Sequence, residues 1–177
     1  MTNLDSSRPF LPVRIAILTV SDSRTLADDN SGDILVARVE AAGHTLAGRE
    51  IVTDDMDNIV GQLDVWISDD DVDVVISTGG TGVTGRDVTP EAFLKVVDKE
   101  IPVFGELFRM LSFQKIGTST VQSRAVGGVS RGTYLFALPG SPGACKDGWD
   151  DILVHQLDYR FKPCNFVELM PRLTEHL

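Results

Sequence analysis

Val72-Asp73-Val74-Val75-Ile76-Ser77-Thr78-Gly79-Gly80-Thr81-Gly82-Val83-Thr84-Gly85-Arg86-Asp87-Val88-Thr89-Pro90-Glu91 is the stretch that decides the fold. Its apolar run, Val72, Val74, Val75 and Ile76, reads as a buried strand that opens through Ser77-Thr78 into a loop suited to an anion. Glycines permit positive φ and carry no side chain, so backbone N–H groups can converge on phosphate oxygens. Hydroxyls of Thr78, Thr81 and Thr84 add donors. A bare Gly-Gly-Thr-Gly is equally the sequence of a tight strand-to-helix turn. Arg86-Asp87 and the helix start Thr89-Pro90-Glu91 make the stretch more specific. Thr89 can cap, Pro90 suits the first helical turn, and Glu91 favours the positive end of the helix dipole.

Upstream, residues 13–20 form an apolar run broken only by Arg14 and Thr19, the pattern of a central strand covered on both faces. Asn30-Ser31-Gly32 offers a cap, and Leu35, Val39 and Ala42 recur at helical spacing until Gly43. Residues 46–52 read as a second strand. Asp57 or Asn58 can then cap a helix with an Ile59, Leu63, Trp66, Ile67 core stripe. The order β, α, β, α, β implies right-handed crossovers and an α/β fold, a mostly parallel central sheet with helices on both faces. Ligands of such sheets sit at the carboxyl ends of the strands, where Ser21-Asp22, Thr53-Asp54-Asp55 and the glycine loop all emerge. Downstream, Phe104, Leu107, Phe108 and Leu111 mark a helix, and residues 126–138 mark strands around Arg131-Gly132. Cys145, Trp149 and Ile152 begin a last helical stripe. The acidic run Asp69, Asp70, Asp71 and Asp73 reads as a solvated loop.

At 177 residues, with 42% hydrophobic and 24% charged, the chain reads as a flexible N-terminal arm, 1–12, and a single α/β domain, 13–177. The arm has no apolar signal core and no run approaches the roughly 20 apolar residues of a membrane helix, so a cytoplasmic location is expected. Cys145 and Cys164 lack metal-like or redox-like spacing and read as free buried thiols; the three histidines are too scattered for a zinc site. A net charge of −10, from 26 acidic and 16 basic residues, argues against nucleic-acid and anionic-membrane partners.

Residues 79–91 resemble the signature of the molybdopterin-binding family of molybdenum cofactor biosynthesis, whose enzymes adenylylate molybdopterin. The similarity extends to Ile17-Leu18-Thr19-Val20-Ser21-Asp22, Asp29-Asn30-Ser31-Gly32, Ser123-Arg124 and Leu138-Pro139-Gly140-Ser141-Pro142. Residues 104–113, 116–119 and 163–166 are most similar to the protein B branch. The resemblance implies a molybdopterin-binding-like fold, Mg2+ as cofactor, and ATP and molybdopterin as substrates. It also implies a homotrimer, which protein B relatives can pair into a homohexamer; the apolar segment 104–113 could serve such an interface or the core. Ser21, Asp22, Thr78, Gly79, Gly80, Thr81, Gly82, Arg86, Ser123, Arg124, Gly140 and Ser141 become candidate binding residues; Gly140 and Ser141 read first as a turn, and their family counterpart closes over ligand.

Adenylyl transfer brings two anions together, so carboxylates add unfavourable charge. Two unit charges about 4 Å apart interact by about 4 kcal/mol at an effective dielectric near 20, so Asp87 beside a triphosphate needs a cation between them. Magnesium takes oxygen ligands from one or two carboxylates together with substrate phosphates. Asp87 is therefore a candidate catalytic and metal-linked residue. The resemblance places an essential carboxylate at the Asp54-Asp55 step, which makes Asp54 the second, with Asp55 open as the alternative. Arg86 and Arg124 suit phosphate oxygens, and surface salt bridging is an equal reading for each. Two functions follow: an Mg-ATP-dependent molybdopterin adenylyltransferase, or a catalytically silent molybdopterin carrier.

Overall fold

The computed structural model describes residues 4–175. Along the chain come β1 (Arg14–Val20), α1 (Asn30–Ala41), β2 (Thr45–Val52), α2 (Met56–Ile67), β3 (Val74–Thr78), α3 (Thr89–Val96), β4 (Lys99–Glu100) and α4 (Pro102–Ile116). A 3-10 segment (Gly117–Gln122), β5 (Val126–Ser130), β6 (Thr133–Leu138) and α5 (Pro142–Gly148) follow, and a π-helical turn, Trp149–Leu153, continues α5 into the C-terminal segment.

Alternation along the inner strands sets the layers. Ile15, Ile17, Val74, Ile76, Tyr134 and Phe136 face a core closed by α1, α4 and α5, whereas Ala16, Leu18, Val75, Leu135 and Ala137 face α2 and α3. Every residue of β3 and β6 is buried, as strands covered on both faces require. The sheet runs β2-β1-β3-β6-β5-β4; its first three pairings are parallel, and β5 is antiparallel to both neighbours. β2 lies on one side of β1 and β3 on the other. The chain thus reverses its march across the sheet beside β1, which opens a crevice at the carboxyl ends of β1 and β3.

Several local expectations shift. α1 is capped by Asp29, one residue earlier than Asn30, because its carboxylate accepts the Gly32 N–H at 3.0 Å. α2 is capped by Asp55, which accepts the N–H groups of Asp57 and Asn58. Val88 occupies the cap of α3, so Thr89 lies inside the helix and does not cap it. Asp73 is not a solvated loop residue: it accepts the Arg14 N–H at 2.7 Å and pairs with its guanidinium at 2.6 and 2.9 Å, tying the start of β1 to β3. Cys145 is buried as expected; Cys164 is exposed. Near the N-terminus, Leu4 bridges Phe161, and the Asp5 N–H donates to the Arg160 carbonyl at 2.8 Å. Segment 104–113 divides, with Phe104 and Phe108 in the core and Met110 and Phe113 exposed.

Candidate active site

The loops leaving β1, β2, β3 and β6 meet above the crevice. The Ser21 N–H donates to the Val52 carbonyl at 2.9 Å, and the Ser21 hydroxyl accepts from the N–H groups of Ser23 and Arg24, which turns the chain at the end of β1. Asp22 then points across the site. It forms a two-pronged pair with Arg86, at 2.6 and 3.0 Å, and accepts the Asp54 N–H at 3.1 Å. One carboxylate thereby joins three loops.

The glycine loop folds tightly over this junction. Gly79 lies at φ +102°, where a Cβ would sit 2.1 Å from the Val20 carbonyl oxygen, so only glycine lets the loop cross β1 here. Gly80 lies at φ +63°; a Cβ there would fall 2.3 Å from Thr89 Oγ1 and 2.8 Å from Asp54 Oδ1. At Gly82 it would fall 2.7 Å from Asp87 Oδ2. The two acids therefore stand against the loop at two of its glycines. Asp87 is held by Thr84, whose hydroxyl and N–H donate to Oδ2 at 2.6 and 2.8 Å. Arg124 braces the loop from outside, donating to the carbonyls of Gly82 and Asp87 at 2.7 Å each and pairing with Glu91.

On the other side, the Gly140 carbonyl accepts from Ser31 at 2.9 Å and Arg24 at 3.3 Å, and Gly140 packs against Gly79. Ser141 caps α5, its hydroxyl accepting the Ala144 N–H. Thr78 is turned inward, its hydroxyl donating to the Pro139 carbonyl at 3.0 Å beside Cys145. A cleft of about 410 Å³ runs between the glycine loop, Ser123 and Gly140-Ser141. A neighbouring hollow of about 350 Å³ is bounded by Ser21, Asp22, Arg24 and Thr53.

A molybdopterin-binding domain model, described as probable, matches residues 16–159. The chain is 52% identical over 160 residues to molybdenum cofactor biosynthesis protein B of Escherichia coli K12, covering 90% of this chain and 94% of that one. A crystal structure of a molybdenum cofactor biosynthesis protein B superposes with a TM-score of 0.86 at 38% identity, over 95% of this chain and 99% of the other. The tungsten cofactor synthesizing protein MoaB of Pyrococcus furiosus gives 0.73 at 35% identity, over 80% and 91%. This chain belongs to the molybdenum cofactor biosynthesis protein B family.

Electrostatics separate the acids of this protein B family member. Burial pushes the Asp54 carboxyl above its ordinary range, and the charges of Asp22 and Asp87 push it the same way. The Thr84 hydroxyl holds Asp87 below that range, and the Arg86 guanidinium does the same for Asp22. Among the described residues, no group of three or more His, Cys, Asp or Glu forms a ready-made metal cage. Two carboxylates of which one is destabilised by the other do fit magnesium, which needs few protein oxygens when phosphates supply the rest. Asp55 is taken up by its cap, so Asp54 is the acid that faces the glycine loop.

The sequence reading missed Arg24, Phe108, Ser112 and Gln122, which line the two hollows. Ser112 carried a signal: it is a polar residue on the buried face of α4. Arg24 carried none, because its partner Gly140 lies 116 positions away.

Proposed function

We propose that this protein acts in molybdenum cofactor biosynthesis as an Mg2+-dependent molybdopterin adenylyltransferase. The observation that carries the reading is the placement of Asp54 and Asp87 against Gly80 and Gly82, in the loop that leaves β3 next to the point where the sheet order reverses. A terminal phosphate oxygen of molybdopterin bonds to the α-phosphorus of ATP as the bond from that phosphorus to the β-phosphate bridging oxygen breaks, and pyrophosphate leaves. Magnesium, when bound, supplies positive charge to the phosphates. The chain's own work is positioning. Asp54 and Asp87 would hold the cation, the Gly80 and Gly82 backbone, which carries no side chains, would face the phosphates, and the Asp22–Arg86 pair fixes the Asp54 backbone. Arg124 keeps the loop in shape. Phe108 and Ile116 supply apolar wall to the cleft that would shelter the pterin end.

A catalytically silent molybdopterin carrier is the second reading. The observation favouring it is that Arg86 and Arg124, the cations expected to meet phosphate, are engaged with Asp22 and with loop carbonyls and Glu91. We also propose that the protein works in the cytoplasm as a homotrimer or homohexamer. The resemblance supports the assembly, as do Met110, Phe113 and Val121, exposed around an apolar groove of about 680 Å³.

Purified protein incubated with Mg2+, ATP and molybdopterin distinguishes the two functions. Pyrophosphate and adenylylated molybdopterin in equal amounts support the transferase; tight molybdopterin binding with no pyrophosphate release supports the carrier.

A further inference from the structure

Thr89 is wholly buried at the first position of α3, and its hydroxyl has no hydrogen-bond partner. Its backbone has one: the N–H donates to the Gly80 carbonyl at 3.0 Å, which docks the helix start under the loop. A buried hydroxyl left unpaired is destabilising, native structures hold only a few such groups, and each calls for an explanation. Of the five side-chain atoms of this kind among the described residues, Thr89 Oγ1 is the one set beside Gly80 and Asp54. The cap position, where a threonine would ordinarily find a partner, belongs to Val88. Instead Thr89 Oγ1 lies on the side of Gly80 that also holds Asp54 Oδ1, both within 3 Å of the point a Gly80 Cβ would occupy. Gly80 has no side chain to fill this point, and Thr89 Oγ1 is the nearest side-chain donor to it.

We propose that Thr89 is a positioning residue for Asp54, its hydroxyl donating to the Asp54 carboxylate when that side chain turns to take Mg2+ with a nucleoside triphosphate. A carboxylate oxygen facing the cation leaves its second oxygen to be held, and a hydroxyl on a helix start supplies a donor on rigid backbone. Valine at this position matches threonine in shape and removes an unpaired polar group, so the folded protein loses no hydrogen bond. Stability and function should then move independently.

The inference rests on the adenylyltransferase reading, and calorimetry with Mg-ATP on wild type, Thr89→Val, Thr89→Ala and Thr89→Ser, alongside thermal melts, tests both. The expected result is a melting temperature of Thr89→Val equal to or above wild type, with Mg-ATP binding at least about tenfold weaker. Thr89→Ser should recover binding to within about twofold of wild type. If Thr89→Val does not fold, the same loss in folded Thr89→Ala with recovery in Thr89→Ser sustains the proposal. Wild-type affinity in folded Thr89→Val or Thr89→Ala overturns it and leaves the adenylyltransferase reading standing. So does a Thr89→Ser as weak as those variants, since the hydroxyl is then not what matters. Absence of Mg-ATP binding by wild type overturns both.

Discussion

Asp54 is an acid that its surroundings disfavour. Burial, then the charges of Asp22 and Asp87, raise its pKa, so the folded state holds this proton more tightly than the unfolded chain does. A carboxyl raised in the fold contributes stability that is full below the ordinary value of 3.8 and is lost as pH rises through the higher folded value. At neutral pH Asp54→Asn should therefore melt higher than wild type, and thermal melts across pH should show that gain shrinking toward and below about pH 4. The same variant should lose adenylyl transfer by about a hundredfold or more, the pattern of a site whose charge is kept for function. Asp55→Ala should behave in the opposite way, losing about 1 kcal/mol of stability with the α2 cap while the folded protein retains transfer. The sequence left these neighbours undecided because a strand end is uncertain by a residue. Cap geometry separates them, since Asp55 accepts two helix N–H groups and Asp54 faces Gly80.

Among the elements, the glycine loop does not treat its glycines alike. Gly80 has positive φ and two oxygens against it, so Gly80→Val should lower both the melting temperature and ligand affinity. Gly82 has no such backbone demand; its neighbour is the Asp87 carboxylate, which a methyl group would push aside. Gly82→Ala should leave the melting temperature within a few degrees of wild type and weaken Mg-ATP binding by calorimetry. The loop and the inner strands were legible because their signals are local: apolar runs, glycine spacing, and a proline at a helix start. β4, with two residues, is too short for periodicity to register, and Asp73 looked like one member of a charge run because its partner Arg14 is 59 positions away. Burial opposes the Asp73 charge, yet Arg14 and its N–H hold the carboxyl below 3.8. A depressed carboxyl stabilises above the ordinary value and ceases to as pH falls through the folded one. Asp73→Asn should thus cost about 1–2 kcal/mol at neutral pH, with the partial exposure of Arg14 limiting the effect, and denaturant melts should show the deficit closing in acid below about pH 4.

At the scale of the whole molecule, the α/β architecture followed from the order of elements, and the gathering of the candidate residues at one end of the sheet from the strand ends that carry acids and glycines. What the order could not supply was the return of β6 beside β3, which brings Gly140 onto Gly79, or the engagement of Arg86 and Arg124 by the protein itself. Among the described residues no helix is long and apolar enough to cross a membrane. Phe113 is 58% exposed and Val121 82%, on a chain of net charge −10 that otherwise favours self-repulsion. Sedimentation should give a trimer or hexamer, with Phe113→Asp shifting it toward smaller species. The most direct measurement of the central claim is single-turnover transfer from α-labelled ATP to molybdopterin, comparing wild type with Asp87→Asn. The account predicts Mg2+-dependent formation of labelled adenylylated molybdopterin by wild type and a loss of at least about a hundredfold in the folded variant, which removes charge without changing volume. Equal rates in the two proteins, or product formed as fast in excess chelator, would contradict it.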